Sequence, residues 1–289
     1  PNIPRYIIFD IGSELGPGEM SDAMARVVSA TEIEGFVENE VTSRRSKRCR
    51  IYFVARFDRP FAHFVGWDAQ GRIAGLDRTQ GKGCGAYLGF APEGGGTVQM
   101  AVALSFVSTD GARANLDAEL DHWDFDRVKD ESREIWNEQL SVIEVEGGRE
   151  DQRVKFYTDL WRTLVGGQLM NDVDGRYCDL TGDAPVTRRL PLSADGRPTY
   201  PHINGMDGFW CSQWSLNLLY ALAYPQAMGH ACNFLVDFYR NGGLNPRGPS
   251  GGDYTYVMIS AATTPYIVSA YMKGIRTFDA ETAYEGMRK

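Results

Sequence analysis

No Cys-x-x-Cys pair occurs in the sequence, and none of its five cysteines (Cys49, Cys84, Cys178, Cys211 and Cys232) has a histidine nearby at zinc-ligand spacing. This argues against a metal–thiolate centre. The odd count leaves at least one thiol without a partner inside the chain, so cysteine usage does not fix a redox compartment. Long apolar runs are also missing. None approaches the roughly 20 residues a membrane helix needs, and no membrane span is expected. No basic stretch followed by an apolar one opens the chain, which begins at Pro1 and falls at once into a strand-like pattern at Tyr6 to Phe9. Processing or truncation is therefore expected to have removed a leading segment. Basic residues are in deficit: 30 Lys and Arg against 38 Asp and Glu give a net charge of −8. That balance disfavours phosphate backbones and anionic membranes, so nucleic acid is not an expected partner.

What is present is an ordinary globular composition, 43% hydrophobic and 24% charged over 289 residues, enough for two hydrophobic cores. The first hundred or so residues alternate in apolar character. Ile51, Phe53, Ala55 and Phe57 fall on one face, and Val98, Met100, Val102, Leu104 and Phe106 alternate with Gln99, Ala101, Ala103 and Ser105, as a strand with one buried face requires. The spacing predicts an antiparallel β-sandwich over 1–120. Near Leu120 the period lengthens. From Asp124 as N-cap, Phe125, Val128, Ser132, Ile135, Trp136 and Leu140 predict an amphipathic linker helix within 121–147. A second helix carries Val154, Tyr157, Leu160, Trp161 and Leu164. Trp214 to Tyr224 is apolar on all sides and reads as a buried helix with Trp214 in the core, and Gln226 to Arg240 turns Met228, Ala231, Phe234, Leu235 and Phe238 inward. Further helices are expected from Thr264-Pro265 to Lys273 and from Asp279 onward, with loops at Asn171 to Arg197 and Asn245 to Asp253. Over 148–289 this makes a run of antiparallel helices too short to close a barrel of paired helices.

Several separated blocks carry a resemblance. Trp123 to Gly148 (WDFDRVKDESREIWNEQLSVIEVEGG), the following EDQRVKFYTDLWRTL, Asn171 to Tyr177 (NDVDGRY), FVARFDRPF at Phe53 to Phe61, SFVSTDGARANLDAE at Ser105 to Glu119, and YMKGIRTFDAETAYEGMRK at the end resemble, in order, the α-mannosidases of glycoside hydrolase family 92. The resemblance implies an α+β multidomain fold: an N-terminal β-sandwich, a helical linker, and the beginning of an (α/α)6 barrel. It further implies an exo-acting, inverting enzyme in which bound calcium ion helps distort the mannose ring. In such an enzyme a carboxylic acid protonates the leaving oxygen and a carboxylate base activates water on the opposite face. The base and most calcium ligands are expected beyond Lys289. By resemblance alone, the protein is expected to be secreted or periplasmic.

Two blocks depart from the family pattern. Gly252-Asp253-Tyr254-Thr255-Tyr256-Val257-Met258 aligns with a Gly-Asn-Glu-Thr-x-x-Met block whose Glu is the general acid, which puts Tyr254 in the acid slot. A phenol with an ordinary pKa near 10 is a poor proton donor at neutral pH. Asp253 is the neighbouring carboxyl, one residue displaced and on a shorter arm. The second block, Trp-Asp-Thr-x-Arg in the family, falls on Trp210-Cys211-Ser212-Gln213-Trp214, so only the tryptophan is kept. His202 and Asp207, just upstream, are candidate replacement polar groups. Tyr254, Thr255 and Arg247 are candidate donors to a phosphate, because a sugar-1-phosphate diester needs no protonated leaving group.

Each candidate has a plainer reading. Trp210 is a sugar platform or a core aromatic, Tyr254 an acid-slot residue or a turn residue, and Arg247 a ligand or a solvated loop charge. His63, His122 and His230 read as structural. Asp172, Asp174 and Asp179 have spacing suggestive of calcium but lack the twelve-residue loop pattern, so a turn-rich surface loop is the preferred reading. Function divides the same way. One reading is a glycosidase acting on an α-mannoside glycan or mannosyl phosphate, and the other is a catalytically impaired carbohydrate-binding relative.

Overall fold

The structure is a computed structural model that describes residues 5–14, 18–91, 97–204, 209, 212–257 and 261–289. The chain divides into two compact units, one made of residues 1–123, 171–178 and 187–198, the other of 124–170, 179–186 and 199–289. The segment expected as a linker from 121 thus belongs almost entirely to the second unit, and parts of the expected long loop return to the first.

The first unit is an antiparallel sandwich. Strands β1 (Arg5–Phe9), β5 (His63–Trp67), β6 (Ile73–Gly75) and β8 (Gly85–Phe90) form a sheet of order β1-β8-β5-β6. Strands β2 (Met20–Ser29), β3 (Glu32–Asn39), β4 (Cys49–Phe57), β7 (Arg78–Gln80) and β9 (Met100–Ser105) form a second of order β7-β2-β3-β4-β9. Inward residues from both sheets make one core: Ala25, Ile33, Phe53, Ala55 and Phe57 from one, Phe64, Ala86, Leu88 and Phe90 from the other. The face expected for β4 is therefore the buried one. The face expected for β9 is not. Met100, Val102 and Leu104 are exposed, while Ala101 packs with Val54 against helix α1 (Thr109–Glu119) through Ala112 and Leu116. Small side chains on that side of β9 let the helix lie close to the sheet. Size, rather than hydrophobicity, chooses the covered face.

Helix α1 has Ser108 as N-cap, its Oγ accepting from the Gly111 amide at 2.9 Å. Loop 171–175 is fastened to it. Asn115 Nδ2 donates to Asp172 Oδ1 at 2.9 Å, and Asn115 Oδ1 accepts from the Val173 amide at 2.8 Å. Across the sheet, Arg113 of α1 donates to Glu32 and Glu34 of β3, Arg26 of β2 donates to Glu34, and Arg56 of β4 donates to Glu32 and Asp117.

The second unit is helical: α2 (Phe125–Leu140), α3 (Glu150–Leu164), α4 (Leu216–Ala223), α5 (Pro225–Gly242), α6 (Thr263–Met272) and α7 (Ala280–Met287). Asp124 caps α2 as its position predicts, its carboxylate accepting from the Arg127 amide at 3.0 Å. The core is built on α5. Met228, Ala231, Phe234, Leu235 and Phe238 pack with Tyr266, Ile267 and Ala270 of α6 and with Ala283 of α7. Helix α5 ends at Gly243, whose φ of +81° is a left-handed cap. Helix α4 corrects an expectation. Trp214, in a short 3₁₀ turn before it, is 75% exposed, Leu218 and Leu222 are exposed too, and these three lie at four-residue steps. A uniformly apolar segment carries no periodicity to say which side is covered.

Short strands complete the chain: β10 (Gln168–Leu169), β11 (Arg176–Asp179), β12 (Val186–Arg189), β13 (Ile203–Asn204), β14 (Pro249–Ser250) and β15 (Asp253–Tyr254). Strand β10 pairs with β13, and β14 with β15, both antiparallel.

Candidate active site

Of the described candidates, His202, Asp253, Tyr254 and Thr255 lie where the α5–α6 connection folds back on α5. Two prolines, Pro246 and Pro249, stiffen its start. Its turn, Gly251-Gly252, has φ of +62° and +80°, the doubly positive geometry of a tight hairpin that side chains with a Cβ resist. Pairing then sets Ser250 against Asp253 and Pro249 against Tyr254. The amide of Leu180 donates to the Gly252 carbonyl at 3.0 Å, and that of Thr255 to the Gly248 carbonyl at 3.1 Å. The hairpin is thus held along its length.

Tyr254 points back to the end of α5. Its Oη lies 3.0 Å from the Leu244 carbonyl and 3.2 Å from that of Phe238, and it accepts from the Leu244 amide at 3.4 Å. A phenol has one proton, so one carbonyl receives it at a time. The ring meets Phe238 edge to face at 5.7 Å. Burial pushes the phenol pKa up to about 12, with Asp179 and Asp253 adding in the same direction. Gly242 makes room, because a Cβ there would stand 2.2 Å from Tyr254 Oη and 2.6 Å from Thr181 Cβ.

Asp253 is only 1% exposed and its Oδ1 accepts from the Tyr254 amide at 2.8 Å. Thr255 is buried as well, while Arg247 is exposed. His202 sits inside, 1% exposed, with Phe234 edge-on at 4.9 Å and Phe238 stacked at 5.9 Å. Burial drives its pKa down to about 3 despite the opposing pull of Asp179, so the ring is neutral at any working pH. A ring so enclosed packs the core and offers no surface to a sugar. Trp210 and Asp207 lie outside the described residues.

Gly242 enters this cluster without having been a candidate, and Asp179, one of the acidic set 172, 174 and 179, enters it buried rather than on a surface loop. The carboxylate of Asp179 is buried, its Oδ1 accepting from Thr181 N at 3.0 Å and Thr181 Oγ1 at 2.7 Å. Gly242 is the last residue of α5, and the room it leaves for Tyr254 is visible only in the fold.

Among the described residues no group of three or more His, Cys, Asp or Glu side chains comes together to hold a metal ion. Asp172 is taken up by Asn115, and Asp174 pairs with Arg176 at 2.7 Å and Arg189 at 3.2 Å. Among the described residues no helix is long and apolar enough to cross a membrane.

Comparison with known proteins supplies the family. Residues 2–105 match the Glycosyl hydrolase family 92 N-terminal domain, and residues 111–289 the Glycosyl hydrolase family 92 catalytic domain. The family GH92 α-mannosidase BT3965 from Bacteroides thetaiotaomicron has the same fold with a TM-score of 0.86 at 20% identity, over 98% of this chain and 37% of that one. The family GH92 inverting mannosidase BT2199 from the same organism gives 0.82 at 22% identity, over 99% of this chain and 36% of that one. A protein of Arthroderma benhamiae described as an uncharacterized secreted glycosidase is 30% identical over 109 residues, 35% of this chain and 13% of that protein. This chain therefore spans little more than a third of the length of its solved relatives. With both family domains matched in order over nearly its whole length, the chain belongs to glycosyl hydrolase family 92.

Proposed function

We propose that the chain is part of an exo-acting, inverting α-mannosidase that favours an α-mannosyl phosphodiester over an ordinary mannoside. The observation that carries this reading is the state of residue 254. The resemblance gives this position to a proton-donating Glu, and here a phenol holds its proton up to about pH 12 and directs it at backbone carbonyls. General acid catalysis contributes about 10²- to 10⁴-fold, most of it needed when the leaving group is a sugar alkoxide. A phosphate monoester departs as a stable anion and needs none of it. Asp253 does not fill the gap, because its carboxylate is buried beside the same backbone.

In the reaction so proposed, water attacks the anomeric carbon on the face opposite the phosphate, and a carboxylate base takes its proton. The carbon–oxygen bond breaks and the phosphate keeps the electron pair. Arg247, exposed beside the hairpin, is assigned to the phosphate oxygens, and Trp210 and Asp207 to the mannose, while the buried Thr255 serves the hairpin. Calcium belongs to the proposal as a cofactor of the longer enzyme, with no residue described here assigned to it. Secretion rests on the Arthroderma relative.

The test is a comparison of mannose-α-1-phospho-6-mannose with α-1,2-mannobiose as substrates of the full-length protein. Preference for the phosphodiester by about 100-fold in kcat/KM is expected. A preference for the mannobiose rejects the leaving-group assignment. Binding of both without turnover of either supports the second reading, a carbohydrate-binding relative, which the burial of Asp253 also favours.

A further inference from the structure

The hairpin has a feature the proposed chemistry does not use. From Gly251 to Thr255 each residue is buried or half-buried and each is fixed: by the turn, by pairing with β14, by the amide of Leu180, by the Gly248 carbonyl, and by the phenol at the end of α5. At the next residue this changes. Tyr256 is 61% exposed and Val257 after it is also exposed. The fixed backbone therefore ends on an aromatic ring turned to solvent.

An exposed tyrosine that directly follows a hydrogen-bonded hairpin is well suited to a saccharide. Its ring face complements the C–H face of a pyranose, its hydroxyl offers one donor and one acceptor, and it has two side-chain torsions to order. Rigidity of the support lowers the entropy lost on binding. We infer that the 249–256 hairpin is a binding arm in which Tyr256 contacts the glycan and Tyr254 is the positioning residue that anchors the arm to α5. This rests on the glycosidase reading above and names a residue of the same site. It also separates Tyr254 from proton transfer, since an anchor acts through where it holds Tyr256.

Three variants of the full-length enzyme test it. Tyr256→Ala is expected to raise KM for the mannosyl phosphodiester about tenfold with kcat changed less than twofold, and Tyr256→Trp to restore KM. Tyr254→Phe removes the anchoring hydroxyl, and Gly242→Ala displaces it without altering the phenol, since the new Cβ would stand 2.2 Å from Oη. Both are expected to raise KM in the same way and to leave the pH profile of kcat in place. An unchanged KM in Tyr256→Ala overturns the inference. So does a collapse of kcat in Tyr254→Phe that Gly242→Ala does not share, which would mark the phenol as a proton donor. Should the parent enzyme hydrolyse no mannoside or phosphodiester, the glycosidase reading fails separately, and calorimetric titration with methyl α-mannoside decides the arm. A tenfold weaker affinity in Tyr256→Ala keeps it, and equal affinities reject it.

Discussion

At the scale of single residues, the cluster around α5 shows how burial decides what a titratable group can do. His202 is enclosed between Phe234 and Phe238, and its protonated form is strongly disfavoured. In the unfolded chain the same ring takes up a proton near pH 6.5. Below that pH the unfolded state binds more protons than the native state, so stability falls as pH is lowered from about 6.5 towards 3, by up to about 1.4 kcal/mol per pH unit. His202→Phe has no proton to bind in either state. Urea unfolding at pH 7, 6 and 5 is expected to show a smaller loss of stability in His202→Phe than in the parent; equal slopes would show that the ring is hydrated in the folded protein. In the sequence His202 stands just after Pro201 as a candidate polar group for the sugar. What it does not contain is the pair of aromatic residues, 32 and 36 positions later, that close over the ring.

Among elements, α5 was the most legible, because its apolar positions repeat at three- and four-residue steps and Gly243 stops it. Strand β4 and the capped start of α2 were legible for similar local reasons. Helix α1 was not. Its apolar stripe is short, Ala112 and Leu116, and it follows β9 after three residues, so the change of period is hidden in Ser105 to Leu120. The available signal was Ser108 at the N-cap. Ser108→Ala is expected to cost about 1 kcal/mol of stability. Gly111→Ala should cost considerably more, since its Cβ would stand 2.2 Å from Asp172 Oδ2 and 2.7 Å from Ser105 Oγ, both held in the core of the loop attachment. Denaturant titration of the two variants checks the order, and a Gly111→Ala protein as stable as Ser108→Ala would mean that loop 171–175 is loosely fastened.

For the whole molecule, the organising fact is that the sandwich and the helical unit have separate apolar cores. Alternation with period two and repetition near 3.6 are both local, which is why the two classes of structure were readable along the sequence while the return of 171–178 and 187–198 to the first unit was not. That return depends on polar fastenings such as Asn115 to Asp172, which have no period. Separate cores predict that a change confined to one unit moves one unfolding transition. Glu34 supplies the probe. Burial works against its charge, yet hydrogen bonds from Arg26 and Arg113 outweigh this and hold its carboxyl below the ordinary range. A lowered folded-state pKa stabilises above the ordinary carboxylate pKa, and that stabilisation is lost as pH falls through the folded value. Glu34→Gln, which leaves two arginines facing a neutral amide, is expected to cost about 2 kcal/mol at pH 7 and less at acid pH. Calorimetry of the variant should show the sandwich transition shifted down and the helical one, reported by His202→Phe in the companion protein, unmoved. One transition displaced by both substitutions would show that the two cores unfold as a single cooperative body.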